Sequence, residues 1–240
     1  MQASPVVTLG IAGLALAVAS LHVAGQAIAA RHLGHPSTPH ALRWIVITAA
    51  YLAVTAALAL SGLLARFDLR PPPMALMFVV VISLGIALGI SRAGDRLARG
   101  LPLWWLVAAQ GFRFPLELVM HQAACEGVMP HEMSFSGYNF DIVTGITALM
   151  LAPLAARGRL PRWALPAWNA YGLLMLAVIA VVAFAGSPMV RAFGDDPRHV
   201  NTWVTHFPFV WLPAVLVSAA LAGHVIIWRR LARDAAARRP

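Results

Sequence analysis

The stretch PMALMFVVVISLGIALGISR, residues 73–92, decides the fold. No charged side chain interrupts it before Arg92, and its polar residues are only Ser83 and Ser91. At about 1.5 Å rise per residue, a helix of that length reaches roughly 28 Å. The hydrocarbon core of a bilayer is about 30 Å thick. A surface helix of a soluble domain keeps a polar face, and this run has none.

Working outward, the chain repeats the pattern. Apolar runs lie near residues 5–29, 42–65, 73–92, 102–125, 139–156, 163–186 and 204–228, with short Pro-, Gly- or Arg-rich joints between them. Prolines stand at the joints, including Pro36, Pro39, Pro71, Pro102, Pro130, Pro161, Pro188 and Pro197. Proline is tolerated at or just before a helix start. The composition agrees: 60% of the 240 residues are hydrophobic, 11% are charged, and the mean hydropathy is +0.75. A soluble domain of this composition could not cover its surface with polar groups. The expected fold is all-α: a single polytopic bundle of about seven transmembrane helices spanning residues 1–240.

The net charge of +9 comes from 18 arginines, and the chain has no lysine. The arginines sit at the ends of apolar runs, which is the pattern of charge-directed membrane insertion and not of a nucleic-acid-binding face. Nucleic acid is therefore excluded as a partner, and the missing lysine excludes a Schiff-base pigment. Alternate joints and the tail hold 13 of the 18 arginines: Arg31 and Arg43; Arg92, Arg96 and Arg99; Arg157, Arg159 and Arg162; Arg229, Arg230, Arg233, Arg238 and Arg239. The other joints hold Arg66, Arg70, Arg191 and Arg198, while Arg113 falls inside a run. That asymmetry predicts an outside N-terminus and a cytoplasmic C-terminus. The first run resembles a signal peptide. However, no basic residue precedes it and it is long enough to span, so it is expected to remain as the first helix. The single cysteine, Cys125, excludes a disulfide within the chain.

Against this background the polar residues inside the runs carry the information, because a charge at the centre of a bilayer costs roughly 2.5–3.5 kcal/mol even on lenient scales. The fourth run holds Gln110, Arg113, Glu117 and His121. Their helical spacing confines them to a sector about 80° wide, which must face the bundle interior. Arg113 and Glu117 are expected to pair across one turn. The following joint is acidic and contains no arginine. It leads through Ser136 and Asn139 to Asp141, where the fifth run begins, with Thr144 one turn deeper. Asn139 or Ser136 could cap that helix, and Asp141 could simply favour the positive end of its dipole. Alternatively, Asn139 and Asp141 face Glu117 and His121 across the outer mouth. His206, near the start of the seventh run, is either part of an interfacial Trp/His belt or a fourth wall of the same pocket.

By ligand type, Glu117, His121, Asp141 and His206 are candidates for a metal site, although no recognised ligand spacing joins them. A pair of stacked haems would need opposed histidines on two levels, such as His22 with His224 and His121 with His206. No cofactor is assigned. Gly85 and Gly89 form a GxxxG pair suited to close helix packing.

The segment Gln110-Gly-Phe-Arg113-Phe-Pro-Leu-Glu117, with Gly127-Val-Met-Pro130 and Met133-Ser-Phe-Ser-Gly137-Tyr-Asn139-Phe-Asp141-Ile, resembles a family of uncharacterised bacterial inner-membrane proteins. The resemblance covers about 35 residues. It implies a bacterial inner membrane and draws attention to Arg113, Glu117, Asn139 and Asp141, with no activity attached.

The expected function is binding, sensing or translocation of a small polar ligand or ion at Gln110, Arg113, Glu117, His121, Asn139, Asp141 and His206, in the outer half of the bundle. Two other readings stand beside it. One is an intramembrane enzyme, metal-dependent or not, acting on a lipid or lipid-linked substrate. The other is a structural subunit of a membrane complex, in which the buried charges serve assembly. The expected partners are the lipid bilayer, a small ligand, ion or metal, and, in an oligomer, further copies of the chain.

Overall fold

The computed structural model describes residues 3–237, and among them there is helix but no strand. The helices are α1 (Pro5–His32), α2 (Ser37–Leu60), α3 (Pro73–Ile90), α4 (Arg92–Gly100), α5 (Leu103–Ala108), α6 (Arg113–Cys125), α7 (Ile142–Ala156), α8 (Ala164–Ala185) and α9 (Ser218–Ala236). Five segments are long and apolar enough to cross a membrane: α1, α2, α3, α8, and the continuous stretch Leu212–Ala236 that ends in α9. This is the build of an integral membrane protein. α7 is apolar but shorter, with 15 residues.

Two runs expected to be single helices are broken. The fourth divides into α5, a 3-10 turn over Ala109–Phe112, and α6. Pro115 explains the break. It has no N–H for the carbonyl of Gly111, and its ring would crowd that carbonyl within a continuous helix. Restarting the helix at Arg113 places Pro115 in a first turn, where the missing donor costs nothing. The last run does not begin as a helix at residue 204. Trp203–Thr205 is a 3-10 turn, and a π-helical turn over Leu212–Val217 precedes α9. Pro208 and Pro213 remove two backbone donors from this stretch, so regular α-helix is delayed by about four turns, to Ser218. The Ala214 carbonyl in the π turn accepts from the Tyr51 hydroxyl at 2.9 Å and from the Ser218 hydroxyl.

Small residues set the packing. α3 lies along α9, where a Cβ on Gly85 would sit 3.0 Å from the Ser218 carbonyl oxygen and one on Gly89 would sit 2.6 Å from Val225 Cβ. The expected close packing at this GxxxG pair is therefore present. The third joint, arginine-rich in the sequence, folds as α4, which Ser91 caps by accepting from the Ala93 and Gly94 N–H groups. α4 docks between the end of α1 and the end of α9. Arg229 donates to the Gly89 and Ser91 carbonyls at 2.7 and 2.9 Å, and Arg230 donates to the Leu101 carbonyl at 2.7 Å. A ring nitrogen of His32 lies 2.7 Å from the Gly100 oxygen. Arginine and histidine thus reach carbonyls at the helix ends, those of Gly89, Gly100 and Leu101 together with that of Ser91, which also accepts from the Asp95 N–H.

Ala29, Leu97, Leu101, Leu165 and Ile227 share one apolar cluster beside this docking, with Leu160 and Leu231 packed against it. Different residues meet elsewhere. The Ser4 N–H donates to Glu126 Oε2 at 2.9 Å, and Glu132 Oε1 lies 2.5 Å from His199 Nδ1.

Candidate functional site

Arg113 opens α6 and is 1% exposed. Close approach of three other helices builds its surroundings. A Cβ on Gly145 of α7 would lie 2.3 Å from the Phe114 backbone nitrogen, and one on Gly111 would lie 2.4 Å from Leu149 of α7. These glycines let α7 press against the break before α6. On α8, a Cβ on Gly172 would lie 2.3 Å from His224 Cε1, so the histidine ring of α9 rests directly on the α8 backbone.

Asp141, His224 and Gly172 are the partners this packing delivers. Arg113 Nε donates to Asp141 Oδ2 at 2.5 Å, Nη2 donates to the Gly172 carbonyl at 3.3 Å, and Nη1 lies 2.6 Å from His224 Nε2. A guanidinium has donors only. His224 Nε2 must therefore accept, and the ring proton sits on Nδ1. From there it is donated to Asn169 Oδ1 at 2.7 Å. Asn169 Nδ2 in turn donates to the His224 carbonyl at 3.1 Å. The chain from Asp141 through Arg113 and His224 to Asn169 has one consistent assignment of donors and acceptors, and that assignment uses both ring nitrogens of His224.

Glu117, one turn beyond Arg113 and 1% exposed, does not pair with it. Its Oε1 accepts from Asn139 Nδ2 at 2.8 Å. Asn139 Nδ2 also donates to the Met133 carbonyl at 3.2 Å, while Asn139 Oδ1 accepts from the Asp141 N–H, also at 3.2 Å. Asn139 thus ties the Glu117 carboxylate to the Asp141 backbone in the turn before α7, while the helix itself, with Asp141 at its N-cap, has no side-chain cap from Asn139 or Ser136. Two buried carboxylate oxygens at this centre have no hydrogen-bond partner, Glu117 Oε2 and Asp141 Oδ1; a third such oxygen, Glu132 Oε2, belongs to the separate contact with His199. The Thr144 hydroxyl, also buried, makes no well-formed hydrogen bond either, but it stands beside the Asp141 carboxyl, near enough to stabilise its charge. One guanidinium therefore stands beside two carboxylates.

The structure corrects several sequence expectations. Arg113 pairs with Asp141 rather than Glu117, because the glycine-lined approach of α7 supplies a better-placed carboxylate than the helix's own next turn. His121 lies off the network. It stacks on Phe135 with ring centroids 4.4 Å apart, and its Nε2 is 3.7 Å from the thiol of Cys125. His206 is exposed, with Nδ1 3.3 Å from the Thr202 carbonyl. The four metal candidates are not brought together, and among the described residues no group of three His, Cys, Asp or Glu could hold a metal ion. Gln110 is buried but points away from the ion pair, with its amide packed over Gly223.

His224 and Asn169 were missed as members of the site. A helix over 204–228 would put His224 near its C-terminal end. In the continuous stretch Leu212–Ala236 it is instead the central residue. Its use of both ring nitrogens also removes it from any haem arithmetic. Asn169 carried a usable signal, since an amide inside an apolar run needs a partner as a charge does.

Comparisons of the chain with protein-family models, curated proteins and solved structures found no match.

Proposed function

We propose that this chain is an integral protein of a bacterial inner membrane, with seven crossings, an outside N-terminus and a cytoplasmic C-terminus. Its buried polar centre binds and passes a small cation, most simply a proton, at Glu117 and Asp141. The arginine asymmetry supports the orientation, and residues near the first, third and fifth joints share one apolar cluster with Ile227 of α9. In this reading α5 with α6 forms the fourth crossing, α7 the fifth, and Leu212–Ala236 the seventh. The resemblance around Gln110–Asp141 supports the membrane assignment.

One observation carries the function: Glu117 Oε2 and Asp141 Oδ1 are both buried and unpartnered beside a single guanidinium. A helix pair held only by packing gains nothing from a second buried carboxylate. Leaving such a group uncompensated costs several kcal/mol. A cation that joins the two carboxylates and leaves again removes that cost reversibly. Asn139 holds the Glu117 carboxylate and the Asp141 backbone N–H at once, which suits the role of keeping the two residues in register. Arg113, fixed by Asp141, His224 and Gly172, supplies a stationary positive charge that prevents the site from holding a cation too tightly.

The test is cation flux in proteoliposomes, read as internal pH under an imposed membrane potential. Wild-type protein should carry protons, and Glu117→Gln, which keeps an acceptor for Asn139, should abolish the flux while melting at a similar temperature. Undiminished flux in Glu117→Gln would sink the proposal. So would absence of flux in wild type together with a large loss of stability in Glu117→Gln, which would mark the centre as structural.

A further inference from the structure

A cavity of about 240 Å³ lies on the other side of the α5–α6 break from the ion pair. α1, α2, α3, α5 and α9 wall it, and no charged side chain is among the described residues that line it. By comparison, an apolar cavity of about 150 Å³ stays dry and accepts benzene. Its outer wall is the first half of α2, where Trp44, Ile47, Thr48 and Tyr51 share one helical face. α2 is tied to the bundle from Tyr51 onward, through the bond to the Ala214 carbonyl. Its only fully buried residues, Thr55 and Ala59, lie beyond that point.

The mouth is apolar. Leu21 on α1, Ile47 on α2 and Leu84 on α3 line the cavity and are also exposed on the molecular surface. In a membrane that surface meets lipid. Two of the lining residues carry a buried polar atom without a partner: Gln110 Oε1, on a side chain 2% exposed, and His22 Nε2. An amide oxygen can only accept, so an occupant must offer it a donor. An imidazole nitrogen takes either role according to tautomer. A hydroxyl meets both requirements, and the uncharged lining favours a neutral head.

We propose that this cavity binds a neutral, membrane-soluble amphiphile that enters from the bilayer between α1, α2 and α3, lays its apolar body along α2, and donates a hydroxyl to Gln110 Oε1. The site shares no side chain with the carboxylate pair, so it stands whether or not Glu117 and Asp141 carry a cation.

Isothermal titration of the detergent-solubilised protein with 4-hexylphenol and with hexylbenzene tests it, empty micelles being the blank. The phenol should bind saturably, several-fold to about tenfold tighter than hexylbenzene, as one buried hydrogen bond predicts. Gln110→Leu should erase that preference while hexylbenzene still binds. Ala219→Phe, which fills the cavity from α9, should abolish binding of both without lowering the melting temperature. The Ala219 variant keeps Gln110, so it decides the matter even if Gln110→Leu does not fold. Three results would overturn the proposal: no saturable phenol binding to wild type, equal affinity for the two probes, or phenol binding that survives Ala219→Phe.

Discussion

Arg113 shows how a single side chain can be legible in kind and illegible in partner. The polar stripe Gln110, Arg113, Glu117 is evident from helical spacing, and its burial follows from the cost of charge in hydrocarbon. The four-residue rule points to Glu117, but that rule describes weak pairs on isolated helices, worth about 0.2–0.5 kcal/mol. The partner actually used, Asp141, depends on Gly111 and Gly145 admitting α7, and periodicity does not encode that approach. Asp141→Asn should therefore strand the guanidinium and cost about 3–5 kcal/mol of stability, measured by thermal melting or denaturant titration in micelles. Glu117→Gln should cost far less. Gly172→Ala should destabilise by about 1–3 kcal/mol because its methyl meets the His224 ring. In a His224→Ala background the same change should cost less, only the 2.9 Å approach to Thr144 Cγ2 remaining, and a double-mutant cycle showing simple additivity would refute the contact.

At the level of elements, the apolar runs were readable as helices while their ends and interruptions were not. Composition marks where hydrocarbon can be met. It does not mark where Pro115 forces a restart or where Pro208 and Pro213 delay regular helix, and those breaks moved His224 to mid-helix. α4 was read as a basic joint because its side chains are polar, yet Ser91 caps it and the bundle holds it in place. Its Asp95 faces Arg99, Arg229 and Arg233. Burial pushes this carboxyl up, but the three guanidinium groups, led by Arg233, outweigh burial and hold it below the ordinary carboxylate range. A carboxyl lowered in the folded state adds stability that is full above its unfolded value, near pH 4, and is lost as pH falls through the lower folded value. Melting temperature should accordingly drop below about pH 4 in wild type and be less sensitive there in Asp95→Asn. At neutral pH that variant should be weaker by about 1–3 kcal/mol.

For the whole molecule, the membrane character was fully legible, because it depends on composition summed over long runs. The location of the polar centre was partly legible, since the chain supplied α6 and the start of α7 but concealed the contributions of α8 and α9. Orientation can be measured directly. In a Cys125→Ala background, a membrane-impermeant thiol reagent added to whole cells should label His131→Cys and spare Arg159→Cys; the opposite pattern would invert the topology. The broken fourth segment also has a consequence for biosynthesis. Arg113 is made 28 residues before Asp141 and 111 residues before His224. At roughly 5–20 residues per second, its guanidinium waits about 5–20 s for the histidine. Asp141 brings the countercharge early, but one face of the guanidinium stays without its acceptor until the last helix arrives, so a lone helix carrying it is costly in lipid during that interval. Chains truncated before α9 should consequently be recognised by the cell's quality control as unfinished, even with most of their apolar length already in the bilayer.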